Sequence, residues 1–362
     1  MNTHADAEAL PSGLRSIGWN ALCAQALAQL PADTAGRPAR IVEQHRGHCV
    51  VHDGVALLRT LPLPALFDRL EQAGDGLAVG DWVLVVEDGG SLYISERLAR
   101  SSLLQRSRGE NGVQRIVANV DTAVLVMALD GDYNPNRMER YLLMVRAASV
   151  APLIVLTKPD RCEDLEARRQ EIAMLAGDAA VYLLDARTPA VLRVFAPYLA
   201  EGQTLVLLGS SGVGKSTLMN TLLGAEAQRT GSTREYDDRG RHTTTTRTLR
   251  LLPGGACLID TPGIRELRLG GDEDVAADAF DDIRALAQHC RFRDCRHEQE
   301  PGCAVTSGLP PARLANYRKL RGELAQQQQA RLETKAPKLR DKTADKASKS
   351  GKHSSRDDSK KR

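Results

Sequence analysis

Aromatic side chains are scarce in this 362-residue chain, at 4% of its residues. Cysteine is sparse and odd in number: there are seven, and four of them (Cys23, Cys49, Cys162 and Cys257) stand alone in the sequence. Such a set makes a poor disulfide framework, so a reducing, cytoplasmic setting is expected. No apolar run, Ala123–Leu129 included, approaches the ~20 residues of a membrane span. The start, MNTHADAEALPSGL, has neither the basic segment nor the apolar stretch of a secretory signal, and no membrane partner is expected. A dominant charge is also missing, since 49 Lys and Arg against 46 Asp and Glu leave +3. That average conceals a gradient. Residues 331–362 carry 12 basic and 5 acidic side chains, a net of +7, so residues 1–330 sum to −4.

What is present suffices for two or three domains, with 42% hydrophobic residues to fill their cores. An alanine-rich start holds one helical patch, Asn20–Leu30, closed by Pro31. Short apolar runs then follow at Ala39–Val42, Cys49–Val51, Val55–Leu58, Trp82–Val86 and Leu92–Ser95, separated by Gly and Asp turns. This spacing predicts a small barrel or sandwich, with a longer excursion at Pro62 and Pro64 and with Trp82 in its core. From Val120 the texture changes. Runs without alternation (Ala123–Leu129, Leu153–Leu156, Val181–Leu184, Leu205–Leu208, Cys257–Ile259) alternate with helical segments, the pattern of buried parallel strands in an α/β domain. Beyond Asp272 the chain reads as helical, passes a Cys/His cluster, continues as a polar helix over Pro310–Leu332 and ends in a Lys-, Asp- and Ser-rich tail. That tail is expected to be disordered and solvated.

Gly209-Ser210-Ser211-Gly212-Val213-Gly214-Lys215-Ser216 matches G-x-x-x-x-G-K-[ST] in full, after the strand-like TLVLL and before the helix-like TLMNTLL. Its glycines let consecutive amides turn inward around phosphate oxygens at a helix N-terminus, so phosphate contacts are expected from Gly209 through Thr217. Lys215 is placed to reach the β- and γ-phosphates, and the Ser216 hydroxyl to ligate Mg²⁺. Asp260-Thr-Pro-Gly263 ends the strand CLID, where Asp260 can hold a Mg²⁺-bound water and the Gly263 amide can sense the γ-phosphate. Base identity comes from Thr157-Lys158-Pro159-Asp160, an [N/T]-K-x-D signature after PLIVL. The Asp160 carboxylate can accept two hydrogen bonds from guanine N1 and N2, a pair adenine does not offer, while the Lys158 stem covers the base. Threonine at 157 in place of the commoner asparagine is expected to loosen the bracing between this loop and the phosphate loop. Asp185-Ala186-Arg187 takes the place of the last base-contacting loop, and only the Ala186 backbone suits that role. A P-loop kinase or ATPase is the competing class, and Asp160 argues against it.

The order is unusual: base reader, phosphate loop, Mg²⁺ loop. A closed set of strands can be opened at another loop without altering a pocket assembled in space. The chain after Gly263 then leads directly into the cysteine cluster, a physical route over 264–320 for coupling nucleotide state to a partner. Three Cys and one His within 290–303 supply four ligands, enough for a closed tetrahedral structural zinc, with His289 as an alternative ligand beside Cys290. Ile264 stands where many GTPases place the glutamine that orients the attacking water.

With its permuted motifs, Gly240-Arg-His242-Thr243-Thr244-Thr245-Thr246, Cys290-x4-Cys295-x-His297-x5-Cys303 and Arg100-Ser-Ser-Leu-Leu-Gln-Arg106, the chain resembles the circularly permuted ribosome small-subunit-dependent GTPase A family over roughly 37–325. The resemblance implies an N-terminal OB-fold β-barrel, a circularly permuted α/β P-loop GTPase domain and a C-terminal α-helical zinc-binding domain. The expected division is an extension at 1–36, the barrel at 37–110, the GTPase domain at 111–271, the zinc domain at 272–333 and the basic tail at 334–362. It also implies zinc on Cys290, Cys295, His297 and Cys303, and His242 as the substitute for the missing glutamine. Thr244 is the best-placed switch threonine for Mg²⁺, flanked by Thr243 and Thr245. The implied function is a monomeric GTP hydrolase that binds GTP/GDP and the small ribosomal subunit with its rRNA late in maturation. Basal turnover should be slow and stimulated by the subunit. An RNA-binding adaptor that uses GTP as a sensing ligand is the alternative. The basic tail would add salt-sensitive RNA affinity, or simply be solvated.

Overall fold

The computed structural model describes residues 13–107, 113–224, 247–261, 281–311, 313–322 and 325. Strands β1 (Arg37–His45), β2 (His48–His52), β3 (Leu57–Pro62), β4 (Trp82–Asp88) and β5 (Ser91–Arg97) form the first unit. β1 pairs antiparallel with β2 and β4, β2 with β3, and β4 with β5, while β3 runs parallel to β5. The circuit β1-β2-β3-β5-β4-β1 closes, so this unit has no free edge, and its order is that of an OB barrel. Alternation does the packing: in β2, Cys49 and Val51 are buried while their neighbours are not. The excursion at Pro62 and Pro64 is a helix, Pro64–Gln72, with proline in its first turn, where no N–H is needed. It buries Leu66 and Leu70 against Ile41, Val83 and Ile94. The Val55–Leu58 run is no strand at its start, because the Asp53 carboxylate accepts the amides of Val55 (3.0 Å) and Ala56 (2.9 Å) and turns the chain there.

A hairpin of β6 (Leu103–Ser107) and β7 (Val113–Ala118) leads into the α/β part of the molecule, whose strands are continuous with the barrel at β1. There β8 (Thr122–Ala128), β9 (Ala151–Thr157), β10 (Ala180–Leu184), β11 (Thr204–Leu208) and β13 (Cys257–Asp260) are parallel in the order β10-β9-β8-β11-β13, and β12 (Thr248–Leu251) is antiparallel beside β13. All seven residues of β8 are buried, Leu125 and Met127 in one core and Val124 and Val126 in the other. Helices Pro135–Ala147 and Leu165–Ala176 cover the first face. Helices Ala190–Phe195 and Lys215–Leu223 cover the second, which is why these strands lack alternation. The C-terminal ends of all five parallel strands lie along one edge, where open α/β sheets bind ligands.

Two further segments bind the units together. The helical patch of the start is the helix Ala21–Ala28, capped by the Asn20 side chain; its buried residues are Cys23 and Ala26, while Leu22 faces solvent. Just before it, Leu14, Ile17 and Trp19 pack with Trp82, and the two indoles meet edge to face at 4.7 Å. Beneath them lies Arg40, fully buried. Its guanidinium donates to the carbonyls of Ile17 (2.6 Å), Gly80 (3.3 Å) and Asn119 (2.9 Å) and to the Thr204 hydroxyl (2.9 Å). One side chain thereby ties the N-terminal segment, the barrel and the start of β11. At the other end, helices Asp281–Ala287, Ala304–Gly308 and 313–322 pack on the first face of the sheet through Ile283, Val305, Leu314 and Leu320. Buried Glu139 of helix Pro135–Ala147 pairs there with Arg313 and accepts from the Asn316 amide.

Candidate nucleotide site and metal centre

The phosphate-loop motif lies between β11 and helix Lys215–Leu223, as its flanking runs require. Gly209 (φ +150°) is needed for space, because a Cβ there would meet the Val126 carbonyl oxygen at 2.2 Å. Gly212 (φ +81°) and Gly214 (φ +98°) adopt the left-handed conformations that turn the loop into the helix. Lys215 opens that helix. Its ammonium donates to the carbonyls of Gly209 (2.8 Å) and Ser210 (2.5 Å), which puts the charge inside the concavity of the loop. Burial lowers its pKa, against the pull of Asp260 and Asp132. Ser216 and Thr217 follow in the first turn. Across the sheet, burial raises the pKa of Asp260 at the end of β13, opposed by Arg250 and Lys215. The Thr261 hydroxyl donates to Leu207 O at 2.8 Å and holds this strand end beside β11.

The bracing expected to be weak at Thr157 is in place. Its buried hydroxyl donates to the Val213 carbonyl at 2.6 Å, joining the base-reading loop to the phosphate loop, so threonine performs the bracing with a shorter side chain. The position of a Cβ on Gly214 lies 3.7 Å from Thr157 Oγ1 and 3.9 Å from Ala186 Cβ, so three loops distant in sequence are in contact. Lys158 is left-handed (φ +56°), and its ammonium pairs with Asp130 at 2.7 Å; that hydrogen bond lowers the Asp130 pKa. Pro159 and Asp160 form a short 3₁₀ turn, with Asp160 exposed. Ala186 is buried with Val213 in the second core, and its carbonyl accepts from Thr221 Oγ1 at 2.6 Å. Asp130 and Thr221 were not legible as site residues. The only hint at Asp130 was its place at the end of an apolar run.

Cys290, Cys295, His297 and Cys303 form the second centre, their ligand atoms all within 4.8 Å of one another. Sγ of Cys290 and Sγ of Cys303 are 3.8 Å apart, and His297 Nδ1 lies 3.6 and 3.5 Å from them. A tetrahedral ion with metal–sulfur bonds of about 2.3 Å and metal–nitrogen bonds of about 2.0 Å has edges of about 3.8 and 3.5 Å, so the donors fit. His297, not His289, belongs to the cluster. Its left-handed backbone (φ +63°) is held by Arg318, which donates twice to the His297 carbonyl, at 3.1 and 2.7 Å. Three other expected site residues, His242, Thr244 and Gly263, lie outside the described residues.

Comparison with known proteins agrees with this geometry. The family model described as RsgA GTPase matches residues 97–270. A protein of Xanthomonas oryzae pv. oryzae named small ribosomal subunit biogenesis GTPase RsgA is 45% identical over 86% of this chain and 88% of its own length. Among solved structures, YjeQ from Thermotoga maritima matches with a TM-score of 0.59 at 23% identity, over 80% of this chain and 99% of its own, a likeness of fold. YloQ, described as a circularly permuted GTPase, matches with a TM-score of 0.56 at 25% identity, over 81% and 96%.

Proposed function

The chain belongs to the RsgA GTPase family, and from that premise we propose that it hydrolyses GTP in small ribosomal subunit biogenesis. The observation that carries the nucleotide reading is the 2.6 Å bond from Thr157 to Val213, which unites base reader and phosphate loop although the chain visits them in reverse order. In this reading the amides of Gly209–Thr217 and the Lys215 ammonium hold the phosphates. Asp160 takes guanine N1 and N2, Lys158 covers the ring, Pro159 shapes the turn, and the Ala186 amide faces the base. Ser216, Asp260 and Thr244 would hold Mg²⁺, which supplies neutralisation of phosphate charge when bound. Gly263 reports on the γ-phosphate, and His242 orients the attacking water where Ile264 lacks a donor.

Cys290, Cys295, His297 and Cys303 hold one structural zinc, since thiolate-rich tetrahedral donors select that ion and leave no open position for chemistry. The partner is the small subunit and its rRNA, the setting cytoplasmic, the chain a monomer and the basic tail an RNA tether. Among the described residues no helix is long and apolar enough to cross a membrane. GTP turnover measured with and without purified small subunits tests this function. Slow basal turnover with marked stimulation is expected; an unchanged rate would remove the subunit from the reading. Histidine at 242 is tested in the same assay, where His242→Ala should lower stimulated turnover about 100-fold while GDP affinity stays intact.

A further inference from the structure

We propose that Thr221, on the helix behind the phosphate loop, is a positioning residue for guanine specificity, acting by aiming the Ala186 amide at the base. The proposal rests on the guanine reading above and adds to it a residue that touches no part of the nucleotide. Within its own helix Thr221 has a ready acceptor, the Thr217 carbonyl at 3.1 Å. The Ala186 carbonyl is closer, at 2.6 Å, and a hydroxyl has one proton to give. Thr221 therefore holds one end of the peptide group between Ala186 and Arg187. Asp185 holds the other end: its Oδ1 accepts the Arg187 amide at 3.0 Å, and the carboxylate grips the Arg187 guanidinium through Nε and Nη2, each at 2.9 Å.

The Ala186 N–H belongs to the preceding peptide, but with the Ala186 carbonyl held by Thr221 and the methyl buried in the core cluster of Val213, Leu218 and Leu222, two substituents of its Cα are fixed and the nitrogen is placed by them. The backbone N–H of Ala186 has no partner among the described residues. The Asp160 carboxylate acts on the charge of Arg187, the next residue, and an amide fixed there suits a carbonyl oxygen in the same ring. Guanine presents one at its 6 position, whereas adenine presents an amino group, which would set donor against donor. The donor that Thr221 aims thus complements the acceptor pair of Asp160. Because it comes from the phosphate-loop helix, base reading and phosphate binding share one rigid support.

The test compares GDP with the 5′-diphosphate of 2-aminopurine riboside, which keeps N2 but lacks the 6-oxo group and the N1 proton, on the full chain by equilibrium titration; the wild-type difference reports Asp160 and Ala186 together, and the effect of substituting Thr221 separates them. The wild type should bind GDP more tightly than the analogue. Thr221→Val should weaken GDP about three- to ten-fold, the range of one lost hydrogen bond, and leave the analogue unchanged; Thr221→Ser should restore GDP. Equal weakening of both ligands would make the bond merely structural and overturn the proposal, as would no change in either. If the wild type does not discriminate, the guanine reading itself falls. Thermal melting reports on folding, and Thr221→Ala is measured in place of any valine variant that does not fold.

Discussion

The two centres of this molecule are built on opposite plans. The Cys/His cluster is local: four donors from 14 consecutive residues, their ligand atoms all within 4.8 Å of one another. The nucleotide pocket is assembled from loops between Asp130 and Asp260, its amides and Lys215 presented at an open sheet edge. Locality would make the shape of this loop depend on a bound ion, with Cys303 also anchored in the core on the first face of the sheet. The second depends on the sheet, and hydroxyl-to-carbonyl bonds between loops set its shape.

Removing the ion or one of its ligands gives the largest expected effect. Metal analysis should find one equivalent of zinc in the wild type and none in Cys303→Ala, with raised hydrogen exchange across 290–322 in the variant while GDP affinity stays within about three-fold. Collapse of GDP binding as well would break the distinction between the two centres. Asp160→Asn comes next. GTP affinity should fall about 100-fold or more and preference should move to xanthosine nucleotides, as a bidentate reader with one acceptor exchanged for a donor requires. Unchanged use of GTP would remove Asp160 from the pocket. The smallest effect sharpens the comparison, because it tests a bond between loops. Thr157→Val should lower stability by about 1 kcal/mol in denaturant titrations and weaken GDP a few-fold, with metal content unaltered.

The same contrast explains what the sequence alone made legible. The parallel strands could be read because β8 and β11 are apolar on both faces, and the cysteine cluster because its ligands are neighbours. Contacts between distant segments were not. Nothing in the local pattern pairs Lys158 with Asp130 or Thr221 with Ala186, and the bond from Thr157 to Val213 depends on how closely two loops approach, which no local pattern states. Arg40 is the sharpest case. Nothing in the short run ARIV marks Arg40 out, yet it is fully buried because three carbonyls and a hydroxyl from other segments converge on it.

That arginine has a mechanical consequence. Swinging the barrel away from β11 would strip a buried guanidinium of two acceptors, the Asn119 carbonyl and the Thr204 hydroxyl, at a cost of about 1–3 kcal/mol each. The interval between the barrel and the phosphate loop is thereby held constant, with Glu43 of β1 set opposite Thr248 of β12 as a second point of registration. A surface that touches both is measured against a rigid gauge.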